Sequence, residues 1–174
     1  MSRKAVRAYL GIGGNLGDVR ATFSGALATL RQTENILVSR VSPLYETLPV
    51  GGPEDQPPYL NAVIEVETGL DAKALLRRQL EIESRFARLR AIRWGPRTLD
   101  LDLLLYGPGE LIDDPPELVV PHPRLTERAF VLVPLAQLIP ALIVPGTKCS
   151  VEAFLDGLPD SERSEVHLIG SGWT

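Results

Sequence analysis

The chain has 174 residues, 44% hydrophobic and 23% charged, a composition that suits one globular domain spanning residues 1–174. Its net charge of -4 argues against bulk electrostatic binding of nucleic acid. Cys149 is the single cysteine, which excludes an internal disulfide and fits a reducing cytoplasm, and the basic start MSRKAVRAYLGIGG lacks the apolar core of a signal peptide.

In chain order, Val6 to Ile12 alternates as a strand, with Val6, Ala8, Leu10 and Ile12 on one face. GGNLGD reads as a turn. Phe23, Ala26, Leu27 and Leu30 then fall at helical spacing. Ile36 to Thr47 reads as extended, with Pro43 interrupting it. LPVGGPEDQPP, Leu48 to Pro58, is a Gly/Pro loop and a candidate lid. Tyr59 to Glu67 alternates, with Leu60, Ala62, Ile64 and Val66 on one face and Tyr59, Asn61, Val63, Glu65 and Glu67 on the other. Asp71 caps a helix expected to run to about Ala87, striped by Leu75, Leu76, Leu80, Ile82 and Phe86. Thr98 to Tyr106 reads as a strand. The run Ala129 to Pro145 is broken by Pro134, Gln137 and Pro140, so it reads as a buried helix and then a strand, and no membrane partner is expected. A helix is expected from about Thr126, and a last strand and short helix are expected to close the chain.

Strand, helix, strand, strand, helix, strand is the split βαβ order. The expected fold is therefore α+β, a ferredoxin-like sandwich with an antiparallel sheet and packed helices.

Several residues look chemical. Asp100 and Asp102 share one strand face at roughly 7 Å, where their repulsion is on the order of 2 kcal/mol. Solvated exposure or a divalent cation would offset it, and Mg²⁺ is held by one or two carboxylates completed by water and phosphate. Arg77, Arg78, Arg85, Arg88, Arg90, Arg93 and Arg97 precede them. The first, second and third read as a solvated helix face; Arg93 and Arg97, around a Trp-Gly-Pro turn, suit phosphate. Glu83 falls inside the apolar stripe and needs an ion-pair partner or a ligand donor. Tyr59 and Phe130 are candidate walls for a flat ligand, and Asn61 offers a donor and an acceptor on the Tyr59 face. His122 lies between two prolines, and Arg128 lies near a helix start, where anions are favoured. GIGGNLG matches neither a Walker loop nor GxGxxG. A plain turn, or glycines admitting close approach of a ligand to backbone, both remain open there.

The stretches LGIGGNLGD, SPLYETLPVGGPEDQPPYLNAV, RWGPRTLDLDLLLYG and VPHPRLTERAFVLVPL resemble the 6-hydroxymethyl-7,8-dihydropterin pyrophosphokinase family of folate biosynthesis. They follow the family's order from Tyr9 to about Leu138. The resemblance implies transfer of the pyrophosphoryl group of ATP to the pterin hydroxymethyl oxygen, leaving AMP. It implies that Asp100 and Asp102 bind two Mg²⁺ ions. It implies that Tyr59 and Phe130 sandwich the pterin, with Asn61 and Thr47 on its edge and Asn15 nearby. Glu83, Arg93, Trp94, Arg97, His122 and Arg128 would position ATP, and Arg88 and Arg97 would act at the transferring phosphates. A cytoplasmic monomer is expected. The chain departs from the family pattern at Ala87-Arg88-Leu89-Arg90, where Gly-Arg-x-Arg is common, and at Leu80, where a polar residue often lies. A non-catalytic pterin- or nucleotide-binding module of the same fold is the alternative, but a neutral pterin needs no paired acids. A kinase transferring one phosphoryl group would instead leave ADP.

Overall fold

In the computed structural model of the chain, the described residues are 4–49, 53–86 and 98–173. β1 (Val6–Gly14) lies inside a six-stranded sheet, antiparallel to β4 (Tyr59–Thr68) on one side and β5 (Asp100–Tyr106) on the other. β2 (Ile36–Val41) and β3 (Leu44–Thr47) lie end to end along the far side of β4. The break between them falls at Ser42-Pro43, where proline removes a ladder donor. The Ser42 hydroxyl accepts from Val63 N–H at 2.9 Å, so the ladder is bridged rather than lost. β8 (His167–Gly170) adds to the outer edge of β3.

α1 (Val19–Gln32) and α2 (Ala72–Phe86) cover one sheet face. Asp71 caps α2 as the sequence predicts, accepting from Ala74 N–H at 2.8 Å, and Asp18 caps α1 in the same way, accepting from Ala21 N–H at 3.0 Å. Phe23, Leu27, Leu30, Leu75 and Ile82 meet Ala8, Leu10, Ile12, Ile64 and Leu101 in this core. Leu80, expected in the inward stripe of α2, instead points to solvent; Gln79 takes the buried place. Arg77, Arg78 and Arg85 are exposed, and Arg78 pairs with Glu81.

The other sheet face carries a second core. Tyr9, Val63, Leu104 and Leu105 pack against Leu132 and Leu135 of α3 (Ala129–Leu138) and against α4 (Val151–Gly157). Leu104 and Leu105 both belong to this face because a bulge in β5 follows the Leu10–Leu103 pair. α3 passes through Pro134 to Leu138, later than the expected interruption. The strand expected after it reduces to one isolated bridge, Ile143 to Ser150. Among the described residues no helix is long and apolar enough to cross a membrane.

Three local expectations change. Gly13 and Gly14 belong to β1, paired with Asn61 and Leu60, rather than to a turn. A short hairpin, β6 (Ile112–Asp114) and β7 (Leu118–Val120), precedes His122. The chain closes through α4, α5 (Asp160–Ser164) and then β8, so the strand comes last.

Candidate active site

Part of the second sheet face is left uncovered by α3 and α4, and a cavity of about 510 Å³ opens there. Strand parity explains its floor. On this face β1 presents Gly11 and Gly13, β4 presents Tyr59, Asn61 and Val63, and β5 presents Asp100, Asp102 and Leu104. Gly11 stands opposite Asp102 and Gly13 opposite Asp100. Each aspartate thus faces a strand position with no side chain, and the space between is kept for a ligand. A Cβ on Gly13 would come within 3.1 Å of Asn61 Oδ1. A Cβ on Gly11 would meet only the Leu104 side chain, at an ordinary 3.5 Å, so the tight fit belongs to Gly13.

Asn61 and Thr47 are both buried, and the Asn61 amide donates to the Thr47 hydroxyl at 2.8 Å. This bond fixes the amide orientation, leaving its carbonyl end beside Gly13. Tyr59 and Phe130 are half-buried and line the same cavity from β4 and α3. Arg128 precedes α3, and its guanidinium carbon sits 5.5 Å from the Phe130 ring centroid, a cation–π arrangement that also holds the ring.

Glu83 is buried at 5% exposure, on the inward face of α2. Its Oε1 accepts from Leu101 N–H at 2.6 Å, between the two aspartates in sequence. A contact to the protein backbone is thus among its roles: the carboxylate fastens α2 to the strand that carries Asp100 and Asp102. His122 is half-buried, and its own N–H donates to Leu104 O at 2.9 Å. Its Nδ1 accepts from Arg124 N–H at 3.1 Å, which leaves the proton of the neutral ring on Nε2. Burial pushes the imidazole below its ordinary value; Arg128 and Arg124 act in the same direction and Asp100 opposes them. Asn15, expected near the pocket, is 3% exposed and donates to Pro57 O at 3.0 Å and Gln56 Oε1 at 3.4 Å. It tethers the Gly/Pro loop. Arg88, Arg93, Trp94 and Arg97 lie outside the described residues, as does Arg90.

Among the described residues no group of three or more His, Cys, Asp or Glu is placed to hold a metal. Asp100 and Asp102 are a two-carboxylate donor set, half-buried and lining the cavity beside Arg128. That set fits Mg²⁺, which takes its remaining ligands from water and phosphate. Sequence reasoning missed Leu48, Arg124, Glu127, Glu162, Glu165 and Val166, all of which line the cavity. The PHPRLTER run held a signal for Arg124, two residues past a proline-bracketed histidine. Nothing in the local sequence marks Glu162, Glu165 or Val166.

Comparison with known proteins agrees over most of the chain. The model of the family described as 7,8-dihydro-6-hydroxymethylpterin-pyrophosphokinase (HPPK) matches residues 9–140. The chain is 44% identical over 131 residues to the 2-amino-4-hydroxy-6-hydroxymethyldihydropteridine pyrophosphokinase of Bacillus subtilis (strain 168), covering 75% of this chain and 77% of that protein. It is likewise 44% identical over 140 residues to the protein of the same name from Methylorubrum extorquens, covering 80% of this chain and 87% of that one. The crystal structure of wild-type Plasmodium falciparum HPPK-DHPS with pteroate superposes with a TM-score of 0.70 at 13% identity, over 90% of this chain and 45% of that longer one. At that identity the likeness is one of fold.

Proposed function

This chain belongs to the 7,8-dihydro-6-hydroxymethylpterin-pyrophosphokinase family, and from that premise we propose how its residues carry out the transfer. The reaction moves the pyrophosphoryl group of ATP to 6-hydroxymethyl-7,8-dihydropterin, giving AMP and the pterin diphosphate, in folate biosynthesis. ATP is the co-substrate. The observation that carries the reading is the meeting, in one cavity, of Asp100 and Asp102, the cation Arg128 and the aromatic pair Tyr59 and Phe130.

The pterin lies between Tyr59 and Phe130, and Asn61, oriented by Thr47, reads its polar edge. Asp100 and Asp102 would hold two Mg²⁺ ions, which would supply charge neutralisation to the polyphosphate. Arg128, with Arg88, Arg93 and Arg97, takes up the remaining phosphate charge. Neutral His122 presents Nε2–H as a donor to an ATP oxygen, and burial keeps the ring in that form. Trp94 and the Gly/Pro loop close over the reactants and exclude water, which protects ATP from hydrolysis. In-line placement of the hydroxyl against the bound polyphosphate then supplies much of the rate. Glu83 contributes to ATP binding through the strand it fastens. Asn15 acts on the pterin side through the loop it tethers. We read the chain as one domain acting as a cytoplasmic monomer.

The test is an assay of purified protein with ATP, Mg²⁺ and hydroxymethyldihydropterin, reading nucleotide products. AMP with the pterin diphosphate is expected, and ADP would overturn the reaction class. Asp100→Ala should lower kcat by about a thousandfold or more, the scale of several kcal/mol of lost charge stabilisation, with an unchanged circular dichroism spectrum. Wild-type turnover in that variant would refute the metal assignment.

A further inference from the structure

One wall of the cavity comes from a stretch beyond the residues matched by the family model. Glu162 on α5, and Glu165 and Val166 just after it, line the same space as Thr47, Leu48 and Phe130. The stretch is held at both ends. α5 packs on α3, and β8 pairs with β3 at Tyr45–Leu168 and Glu46–His167, next to Thr47. Beyond β8, Trp173 is buried at 4% exposure, edge-on to Phe23 with ring centroids 5.7 Å apart. Its Nε1–H donates to Ser42 O at 2.9 Å, and its carbonyl accepts from the Ser24 hydroxyl at 2.9 Å.

Strand pairing alone is a weak tether here. β8 has four residues, and its apolar side chains, Leu168 and Ile169, are exposed rather than packed. The indole supplies the burial that β8 lacks, and it grips the carbonyl of Ser42, at the break between β2 and β3. We propose that residues 159–173 form the specificity wall of the acceptor subsite, with Trp173 as its positioning residue. This rests on the reading that the acceptor lies between Tyr59 and Phe130. The wall's lining is two carboxylates and a valine, which suits an uncharged heterocycle rich in N–H donors and repels anionic competitors.

The test measures KM for the pterin and for ATP separately. Glu162 and Glu165 are exposed, so Glu162→Lys/Glu165→Lys leaves the fold intact while reversing the charge of the wall. It should raise the pterin KM by about tenfold, equivalent to one lost polar or packing contact, and leave the ATP KM within about twofold. Trp173→Ala should shift the pterin KM in the same direction, and Trp173→Phe, which keeps a ring on Phe23, should largely restore it. If Trp173→Ala does not fold, the surface pair still decides. An unchanged pterin KM in the double lysine variant, or an equal rise for ATP, overturns the wall. Tyr59→Ala serves as the reference: if it raises the pterin KM and the wall variant does not, the wall alone fails. If neither does, the acceptor reading fails with it.

Discussion

At Gly13 a single methyl group is enough to disturb the site, because its Cβ would press on Asn61 Oδ1 at 3.1 Å. The Asn61 amide is locked to Thr47 and cannot yield without giving up that bond. Gly13→Ala should therefore raise the pterin KM by about fivefold to tenfold, while folding stability moves by less than about 1 kcal/mol, since alanine narrows the unfolded ensemble. Steady-state kinetics and a thermal melt check both halves; an unaltered KM would mean that the carbonyl end of Asn61 does not touch the acceptor. The alternation of Asp100 with Leu101 and of Tyr59 with Leu60 was legible, because period two is written in the sequence itself. The role of Gly13 was not, because it depends on the residue across the strand, and register is fixed by partners distant in sequence.

The elements around the site are joined by a polar network that local patterns do not announce. Arg40 on β2 donates to the last carbonyl of α3, Leu138 O, at 3.0 Å, and grips Glu65 through Nε at 3.1 Å and Nη2 at 2.5 Å. Glu65 also accepts from the Tyr9 hydroxyl at 2.9 Å. Burial, reinforced by that hydrogen bond to Glu65, pushes the Tyr9 phenol up to about 12. The hydrogen bond from Arg40 holds the Glu65 carboxyl below its ordinary 4.5, against the effect of burial. A depressed carboxyl stabilises the fold above the unfolded value, and that contribution is lost as pH falls through the folded one. Arg40→Ala leaves Glu65, 2% exposed, with the Tyr9 hydrogen bond and the more distant charge of Arg7. It should cost roughly 2 kcal/mol near pH 7, below the figure for a fully enclosed pair because Arg40 is half open to solvent. Urea unfolding at pH 7 and below pH 4 should show the deficit shrinking in acid; an equal deficit at both would assign it to packing. The long elements were legible from spacing, from the cap at Asp71 and from the break at Pro43. β6 and β7 were not, since three residues are too few to display alternation. The order of the last elements was missed because β8 is exposed on both faces and carries no apolar pattern.

For the molecule as a whole, one sheet separates two cores, and the candidate cavity occupies what α3 and α4 leave uncovered. The ferredoxin-like order was readable because each of its six elements carries its own periodic pattern and they follow one another in the chain. The closing segment was not, because its ties, β8 on β3 and the Trp173 indole on Phe23, join residues more than a hundred positions apart. The larger core also contains a flaw. Gln79 is fully buried, and neither end of its amide finds a hydrogen-bond partner among the described residues. Such a group costs about 1–3 kcal/mol, so Gln79→Leu should stabilise the fold by about 1 kcal/mol or more, seen as a higher Tm with unchanged kcat. A lower Tm would show that the amide is satisfied.

Burial of Trp173 also has an optical consequence. The chain holds two tryptophans, and the other, Trp94, precedes Asp100 in the sequence. An indole packed on Phe23 and shielded from water emits at short wavelength and keeps that colour until the core opens. Trp173 does not line the cavity, so its emission should hold steady when nucleotide is added and should change only when the core opens. Burial of this one indole thus gives the fold its own optical reporter.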